Sequence, residues 1–324
     1  LKFAEKNKME FGVNFSHKHI VDLGIRLDDS LEKLTALPIK WVRLCCYWSE
    51  IEKSEEIFDF TEIDKVVNFF KKKNYKVILT VGMKSPRYPE YYIPEWIKNK
   101  IEITHGKKIL TKDRYLLTRT LLFIKTTINH FIEIKSIKVW QLENEPLDPS
   151  GDKWLSISEG FLKSEIKLVR RIDKKRKIMV NLWGNELTFR KLYPIAIRLS
   201  DIVGLDLYLR CPATFLKYFS IFTGPLDSIK KLRDIGESIV GTKKQLYISE
   251  LQAEPWEPNE IVTNKDNPKS FLPKHFEENI KYASKINPGV ILLWGFEYWL
   301  LRKKQGDDRY WNSAKSALIK YNNI

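Results

Sequence analysis

Glutamates close two apolar stretches of the sequence, in positions where carboxyl groups could perform acid–base chemistry. The first stretch, VWQLENEPLD at residues 139–148, breaks off at Glu143, Asn144 and Glu145 before a proline, and the second, QLYISE, ends at Glu250. A buried carboxylate is costly, and two carboxylates close together raise the pKa of one of them. One group then keeps its proton near neutral pH while the other stays ionised, which is the division of roles that glycosidic cleavage requires.

Eight short apolar stretches recur along the chain and indicate strands. Each is continuous rather than alternating in polarity, as is typical of parallel strands that are buried on both faces. The stretches are residues 11–15, 41–48, 76–82, 137–143, 177–183, 202–208, 245–250 and 290–296.

Amphipathic segments fill the intervals and predict helices, because their apolar residues recur every three to four positions. These segments are roughly residues 61–73, 113–131, 158–175, 188–199, 227–239, 274–286 and 309–321. The alternation predicts an α/β fold, a single (β/α)8 barrel, with residues 1–324 as one domain. The alternative is an open doubly wound sheet, but such a sheet normally has a glycine-rich loop after its first strand, and FGVNFSHKH is not one.

In a barrel, Glu145 and Glu250 would both stand at the C-terminal ends of strands, the rim where barrel active sites are built. We therefore expect their side chains to converge over the mouth. The two longest connections, residues 83–112 and 251–275, follow the third and seventh strands and are rich in Pro, Trp and Tyr. Long connections of this kind are usually functional, so both are expected to border the site.

The formal net charge of the 324 residues is +15, which raises the question of nucleic-acid binding. The lysines are spread along the chain in pieces such as FFKKKNYK and RRIDKKRK, where amphipathic helices end and the helix dipole favours positive charge. No basic stripe interleaved with aromatic residues accompanies them. The pattern favours solvated helix faces, and nucleic acid is not an expected partner.

Metal and disulfide chemistry are not indicated either. The chain has three cysteines, and the spacing of Cys45 and Cys46 fits neither a disulfide framework nor a zinc site. They are expected to be buried apolar side chains. His17 and His19 lack an obvious carboxylate companion, so we predict no metal ion and no cofactor. No stretch approaches the roughly 20 apolar residues of a membrane-spanning helix.

The NEP at residues 144–146, together with Glu250 at the end of the seventh strand, resembles glycoside hydrolase clan A. The resemblance covers nearly the whole chain and points to family 5 or to a neighbouring family such as 35, 39 or 42. QLENEP is similar to the QxENE strand of family 35 β-galactosidases. The resemblance implies a retaining (β/α)8-barrel enzyme in which Glu145 is the acid and base and Glu250 is the nucleophile. Such enzymes need no metal.

The same resemblance implies roles for four further residues. Arg43 in WVRLCCYW matches the arginine that braces the nucleophile, and Asn144 matches the asparagine that binds the substrate 2-hydroxyl. Tyr208 in GLDLY resembles the tyrosine that touches the nucleophile. Trp294 in LLWGF resembles the tryptophan that forms a sugar platform.

Rim residues supply further candidates for substrate binding. Trp256 is a second preferred platform, since aromatic rings stack on the apolar faces of sugars. Glu297 could accept two sugar hydroxyls or pair with Arg302 or Lys303, and the sequence favours neither.

Three charged residues have alternative interpretations, namely Glu143 at the end of the fourth strand and Lys84 and Arg87 after the third. Glu143 lies two residues before Glu145, so the period of a strand would aim both side chains the same way. We expect Glu143 to be a buried ion-pair partner or a secondary sugar contact. Lys84 and Arg87 could meet a carboxylated or sulfated sugar, but solvated rim charge is favoured.

The predicted function is hydrolysis of β-glycosidic bonds in oligo- or polysaccharides through a glycosyl-enzyme intermediate. One alternative is a transglycosylase that uses the same two glutamates, and another is a non-catalytic glycan-binding barrel. The chain opens on Leu1 without a visible signal peptide, and family habit favours an exported protein whose targeting segment was removed. The sugar, the linkage, exo or endo action and the oligomeric state are left open.

Overall fold

Eight parallel strands close into a barrel in the computed structural model, which describes residues 9–184, 186–211, 226–257 and 268–322. The strands are β1 (Glu10–Asn14), β2 (Trp41–Cys45), β3 (Lys76–Val81), β4 (Ile137–Leu142), β5 (Lys177–Trp183), β6 (Ile202–Leu207), β7 (Gln245–Gln252) and β8 (Val290–Trp294). Neighbours in the chain pair with one another, and β1 pairs with β8 to close the ring. The predicted (β/α)8 barrel is confirmed, and the open sheet is excluded.

Helices fill the intervals between the strands, as predicted. They are α1 (His17–Asp22), α2 (Leu27–Leu34), α3 (Trp48–Ile51), α4 (Thr61–Lys72), α5 (Glu95–Lys98), α6 (Arg114–Phe131), α7 (Glu159–Ile172), α8 (Glu186–Leu199), α9 (Leu226–Val240), α10 (His275–Ser284), α11 (Phe296–Lys304) and α12 (Arg309–Asn322). The helical pattern of the sequence missed five of these helices, each of four to nine residues, namely α1, α2, α3, α5 and α11. Within the described residues, no helix is both long and apolar enough to cross a membrane.

Two strands end two or more residues earlier than their apolar stretches suggest. The eighth stretch was predicted to reach residue 296, but β8 ends at Trp294, because Gly295 has a φ of 139° and turns the chain into α11. A side chain at this φ would be strained, and glycine is not. The second stretch was predicted to reach Trp48, which instead begins α3.

The interior of the barrel changes from apolar to polar along the strands. Near the N-terminal ends, strands β2 to β8 each contribute one or two side chains to a buried apolar cluster. Its members are Trp41, Ile78, Val139, Met179, Ile202, Tyr247, Val290 and Leu292. Alternate residues of a strand share a face, so the residues two positions further on also point inward. Several of these are polar and buried, namely Arg43, Thr80, Gln141, Asn181 and Ser249. The barrel therefore carries a polar layer directly beneath its C-terminal mouth.

The three cysteines are buried free thiols, Cys45, Cys46 and Cys211, and they confirm the apolar interpretation. Burial raises the pKa of Cys45 to about 11 and that of Cys211 to about 12. Thiols with such pKa values are not ionised near neutral pH and are poor nucleophiles.

Candidate active site

Glu145 and Glu250 lie at the same end of the barrel, past the C-terminal end of β4 and near that of β7. Glu145 follows β4 by three residues and has a φ of 40°, an unusual conformation for a residue other than glycine. Its peptide N–H donates to Asn181 Oδ1 at 2.9 Å, and its carbonyl accepts from Lys84 Nζ at 2.7 Å. These two contacts hold the turn that carries the carboxyl group.

Burial raises the pKa of Glu145 well above its ordinary value. When Asp206 is ionised its charge raises this pKa further, Lys84 opposes the rise, and the charge of Glu250 adds to it. Among the described residues, none donates a hydrogen bond to the Glu145 carboxyl group. The raised pKa favours the protonated form of this carboxyl group, which is the form that a proton donor requires.

Glu250 has the opposite environment, because hydrogen-bond donors hold both of its oxygens. Arg43 Nη1 donates to Oε1 at 2.7 Å, and the Tyr208 hydroxyl donates to Oε2 at 2.6 Å. Charge-assisted and short hydrogen bonds of this kind fix the orientation of the Glu250 carboxyl group. The register between β6 and β7 shifts so that Leu205 lies opposite Ile248 and Asp206 opposite Glu250. A β-bulge of this kind redirects a side chain, here at the residue that could attack a substrate.

Arg43 fixes several groups of the polar layer at once. Its Nε donates to Gln141 Oε1 at 2.7 Å, Nη1 also donates to Asn14 Oδ1 at 3.0 Å, and Nη2 donates to Asn144 Oδ1 at 2.7 Å. Asn181 Nδ2 donates to the same Asn144 oxygen at 2.9 Å. The oxygen of the Asn144 amide is therefore occupied. Its Nδ2 group has no partner within the described part of the chain and is left to donate to a substrate.

The sequence interpretation missed five members of this layer, namely Asn14, Gln141, Asn181, Asp206 and Ser249. All are buried. Asp206 accepts from Asn181 Nδ2 at 2.6 Å and from Ser249 Oγ at 2.5 Å. Burial and the charge of Glu250 raise the pKa of Asp206 to about 8. The signal that could have found these residues is a polar residue at an inward position of an otherwise apolar strand.

Glu143 and Glu145 do not point the same way, so the expectation drawn from the strand period is wrong. Strand β4 ends at Leu142, and Glu143 has a φ of 61°, which takes the chain out of strand geometry. The buried Glu143 carboxylate accepts from the peptide N–H groups of Met83 at 3.0 Å and Lys84 at 2.5 Å.

Glu143 is buried, as expected, but its surroundings are those of a structural carboxyl group. Burial raises its pKa to about 7. Glu165 of α7, itself fully buried, is its neighbour, and burial together with the charge of Glu143 raises the pKa of Glu165 well above its ordinary value. A side chain at Gly82 would come within 2.3 Å of the Glu143 carboxyl group, so glycine is needed for this approach.

Lys84 and Arg87 are not solvated rim charges. The Lys84 side chain is fully buried, and its Nζ also donates to the Asp148 carbonyl at 3.2 Å. The Arg87 side chain is only 14% exposed and forms ion pairs with Glu254 and Glu297. Both cations lie inside because carbonyl or carboxylate groups offset the cost of their burial.

The rim aromatic residues differ in their accessibility. Trp256 is 43% exposed, and its ring forms a T-shaped pair with that of Tyr208, with centroids 5.1 Å apart and an interplanar angle of 67°. Trp294 is buried, and the guanidinium of Arg87 lies over its ring at 4.1 Å. Residues 258–267 of the long connection after β7 lie outside the described residues.

Glu297 pairs with neither of the cations that were suggested for it. It lies in the first turn of α11, and its Oε2 accepts from Arg87 at 2.6 Å. Arg302 and Lys303 lie in the last turn of the same helix and pair with Asp307 and Asp308. Five or six residues along a helix correspond to roughly 8 Å, which separates the two groups.

The two histidines after β1 are neutral near physiological pH. Burial lowers the pKa of His17 to about 4, and burial together with the charge of Arg87 lowers that of His19 to about 4. Ser16 is the N-cap of α1, and its side chain accepts from the His19 N–H at 3.0 Å. Among the residues that the structure describes, no group of three or more His, Cys, Asp or Glu side chains is arranged to hold a metal ion.

The buried carboxyl groups predict a loss of stability at alkaline pH. Asp206 has a raised folded-state pKa of about 8, so the folded protein holds a proton that the unfolded chain releases at lower pH. The free energy of unfolding should therefore fall as the pH rises from about 6.5 to 8, on the order of 2 kcal/mol for this group. Below this window the buried His17 and His19 have the opposite effect. Their lowered pKa values mean that the unfolded chain binds more protons there, so their contribution to the free energy of unfolding rises with pH.

Urea unfolding at pH 6.5, 7.25 and 8 measures this dependence. Asp206→Asn is the matched control, because the amide keeps a hydrogen-bonding oxygen but binds no proton, and its slope should be shallower. A free energy that is constant or rises with pH would show that Asp206 is ionised in the folded protein.

Comparison with known proteins extends the geometric description. The sequence model of the cellulase family, glycosyl hydrolase family 5, matches residues 5–204, well over half of the chain. No curated protein sequence matches.

Among solved structures, a β-galactosidase from the Antarctic haloarchaeon Halorubrum lacusprofundi is similar, with 13% identity and a TM-score of 0.67 over 98% of this chain. The chain spans 58% of the length of that enzyme. Xylanase 10B from Thermotoga maritima has 16% identity and a TM-score of 0.63, with 99% of this chain and 98% of that chain covered. An endo-β-1,4-xylanase from Gloeophyllum trabeum has 15% identity and a TM-score of 0.58, with 96% of each chain covered. At these identities the likeness shows the barrel fold.

Proposed function

The chain belongs to the cellulase family, glycosyl hydrolase family 5, and from this membership we propose that Glu250 is its nucleophile and Glu145 its acid and base. The protein is an O-glycosyl hydrolase that acts on β-glycosidic bonds with retention of configuration. The observation that carries the assignment is the contrast between the two carboxyl groups. Arg43 and Tyr208 hold both oxygens of Glu250, whereas burial and nearby negative charge raise the pKa of Glu145 and favour its protonated form.

In the first step, a carboxylate oxygen of Glu250 attacks the anomeric carbon, and the bond from that carbon to the leaving oxygen breaks. Glu145 donates its proton to the leaving oxygen. The product is an ester between Glu250 and the sugar. The Asn144 amide donates to the sugar 2-hydroxyl, a contact that strengthens in the transition state.

In the second step, Glu145 is a base. Formation of the ester removes the negative charge of Glu250, so the pKa of Glu145 falls and its ionised form becomes accessible. Glu145 then accepts a proton from water as the water oxygen attacks the anomeric carbon, and Glu250 leaves as a carboxylate. Two displacements at one carbon restore the original configuration.

The substrate is a carbohydrate, and we propose Trp256 as a stacking surface for it, since its ring is partly exposed beside Tyr208. The names of the family and of the similar structures make β-glucosides, β-xylosides and β-galactosides the first compounds to test.

A panel of aryl β-glycosides tests the function directly. At least one member should be hydrolysed, and NMR during the first turnovers should show the β-anomer of the free sugar. The matching 2-deoxy-2-fluoro glycoside with an activated leaving group should inactivate the enzyme and label the peptide that contains Glu250. Release of the α-anomer first, or a label on a different residue, would contradict the proposed mechanism.

A further inference from the structure

An ion-paired arginine spans part of the barrel mouth. Arg87 lies on the connection after β3, Glu254 follows β7, and Glu297 lies in α11 just after β8. Arg87 Nη1 donates to Glu254 Oε1 at 2.5 Å, and Nη2 donates to Glu297 Oε2 at 2.6 Å. We call these three residues the Arg87 bridge. Strands β1 and β2 lie between β8 and β3 in the closed ring, so the bridge crosses the rim above them.

Several contacts hold the Arg87 bridge in place. The side chains of Glu254 and Glu297 are 13% and 1% exposed, and Glu297 Oε1 also accepts from the Ser16 N–H at 2.6 Å. The guanidinium packs on the face of Trp294. Arg87 itself has a φ of 79°, and its carbonyl accepts from the Glu90 N–H at 2.8 Å. Backbone strain of this kind persists only where the surroundings impose it, and it is concentrated at functional sites.

The strand register places the Arg87 bridge near the proposed nucleophile. The guanidinium of Arg87 packs on the ring of Trp294. In the register of β8 and β7, Trp294 lies opposite Gln252, which is two residues beyond Glu250. The leaving group departs on the side of β4, where Glu145 protonates it. Under the proposed mechanism, the sugar that stays on Glu250 would extend from the two catalytic carboxyl groups toward the bridge.

The charge of the bridge bears on the kind of sugar that fits beside it. Two carboxylates outnumber one guanidinium, so the bridge carries a net negative charge. The neighbouring His19 is neutral near physiological pH, and Lys84 is engaged by two backbone carbonyls. A carboxylated or sulfated sugar would be repelled at this position, whereas a neutral sugar has only hydroxyls to offer to the carboxylate oxygens.

We infer that the Arg87 bridge closes the substrate groove on the side of the nucleophile-bound sugar, so that the enzyme removes single neutral sugars from the non-reducing end of its substrate. This inference rests on the proposed roles of Glu145 and Glu250. A second sugar attached beyond the nucleophile-bound one would collide with the bridge. An internal bond of a polysaccharide could then not reach Glu250.

Product analysis tests the inference on the wild-type enzyme. Cellopentaose and xylopentaose, each labelled at the reducing end, are digested and the early products are separated. We expect free monosaccharide and a labelled tetrasaccharide as the first products. Early labelled disaccharide or trisaccharide would overturn the inference while leaving the hydrolase assignment intact. Failure to hydrolyse any aryl β-glycoside would instead overturn the proposed function, and the inference with it.

Arg87→Ala tests whether the bridge is the cause. Its removal should open the groove and raise the ratio of internal to terminal cleavage by about tenfold or more, because a second sugar would no longer collide with the guanidinium. Arg119→Ala is the matched control, because Arg119 is also an ion-paired arginine on an aromatic ring. It pairs with three glutamates, Glu52 at 2.7 Å, Glu56 at 2.9 Å and Glu55 at 3.5 Å, and packs on Trp96 at 4.9 Å.

The control variant should keep the wild-type product pattern. An Arg87→Ala enzyme that folds, as judged by its thermal unfolding, and still releases only monosaccharide would overturn the inference. If this variant does not fold, the product pattern of the wild-type enzyme decides the question.

Discussion

Glu250→Gln should lower kcat by about 10⁴-fold or more on every substrate, because an amide cannot form the glycosyl-enzyme ester. The substitution keeps the shape of the side chain. Arg43 can still donate to the remaining oxygen, and the Tyr208 hydroxyl can accept from the new amide. Sugar binding should therefore be largely preserved. Steady-state kinetics on the best aryl glycoside, together with ligand binding by calorimetry, measures both effects.

Glu10→Gln is the control for Glu250→Gln. Glu10 begins β1 at the opposite end of the barrel, where it pairs with Lys76 at 2.7 Å. This variant should retain wild-type turnover, since its carboxyl group is remote from the mouth. Undiminished hydrolysis by Glu250→Gln would end the nucleophile assignment.

Glu145→Ala should lower kcat/KM by about 10²- to 10⁴-fold on glycosides with poor leaving groups, the usual contribution of a general acid. Substrates with highly activated aryl leaving groups need less protonation and should lose less. Azide is small enough to enter the space left by the side chain and needs no base. It should partly restore turnover and yield a β-glycosyl azide. The loss of activity that the wild-type enzyme shows as rising pH deprotonates Glu145 should disappear in this variant.

Glu143→Gln separates the two neighbouring glutamates. Its buried carboxyl group binds backbone N–H groups and lies beside Glu165, so the variant should lose stability but gain no activity from azide. Rescue of a Glu143 variant by azide, or an α-glycosyl azide from Glu145→Ala, would mean that the acid is misassigned.

The positions of the two proposed catalytic residues could be predicted from local sequence alone. Continuous apolar stretches between amphipathic segments indicate parallel strands, and a polar residue that ends such a stretch must emerge on the C-terminal rim. Glu145 and Glu250 met this condition, and β4 and β7 end within a few residues of them. The single-domain extent of the chain and its export stay predictions.

What the sequence determined by itself was therefore the barrel and the rim on which its carboxyl groups stand. The tertiary structure decided which groups those carboxyls meet. The positive φ angle of Glu143 separates it from Glu145, and the bulge in β7 aims Glu250 at Arg43 and Tyr208. The Arg87 bridge joins residues more than 150 positions apart, at distances that only closure of the ring can set. Hydropathy reports whether a side chain is buried, but the partner that offsets the cost of burying a charge comes from a distant part of the chain.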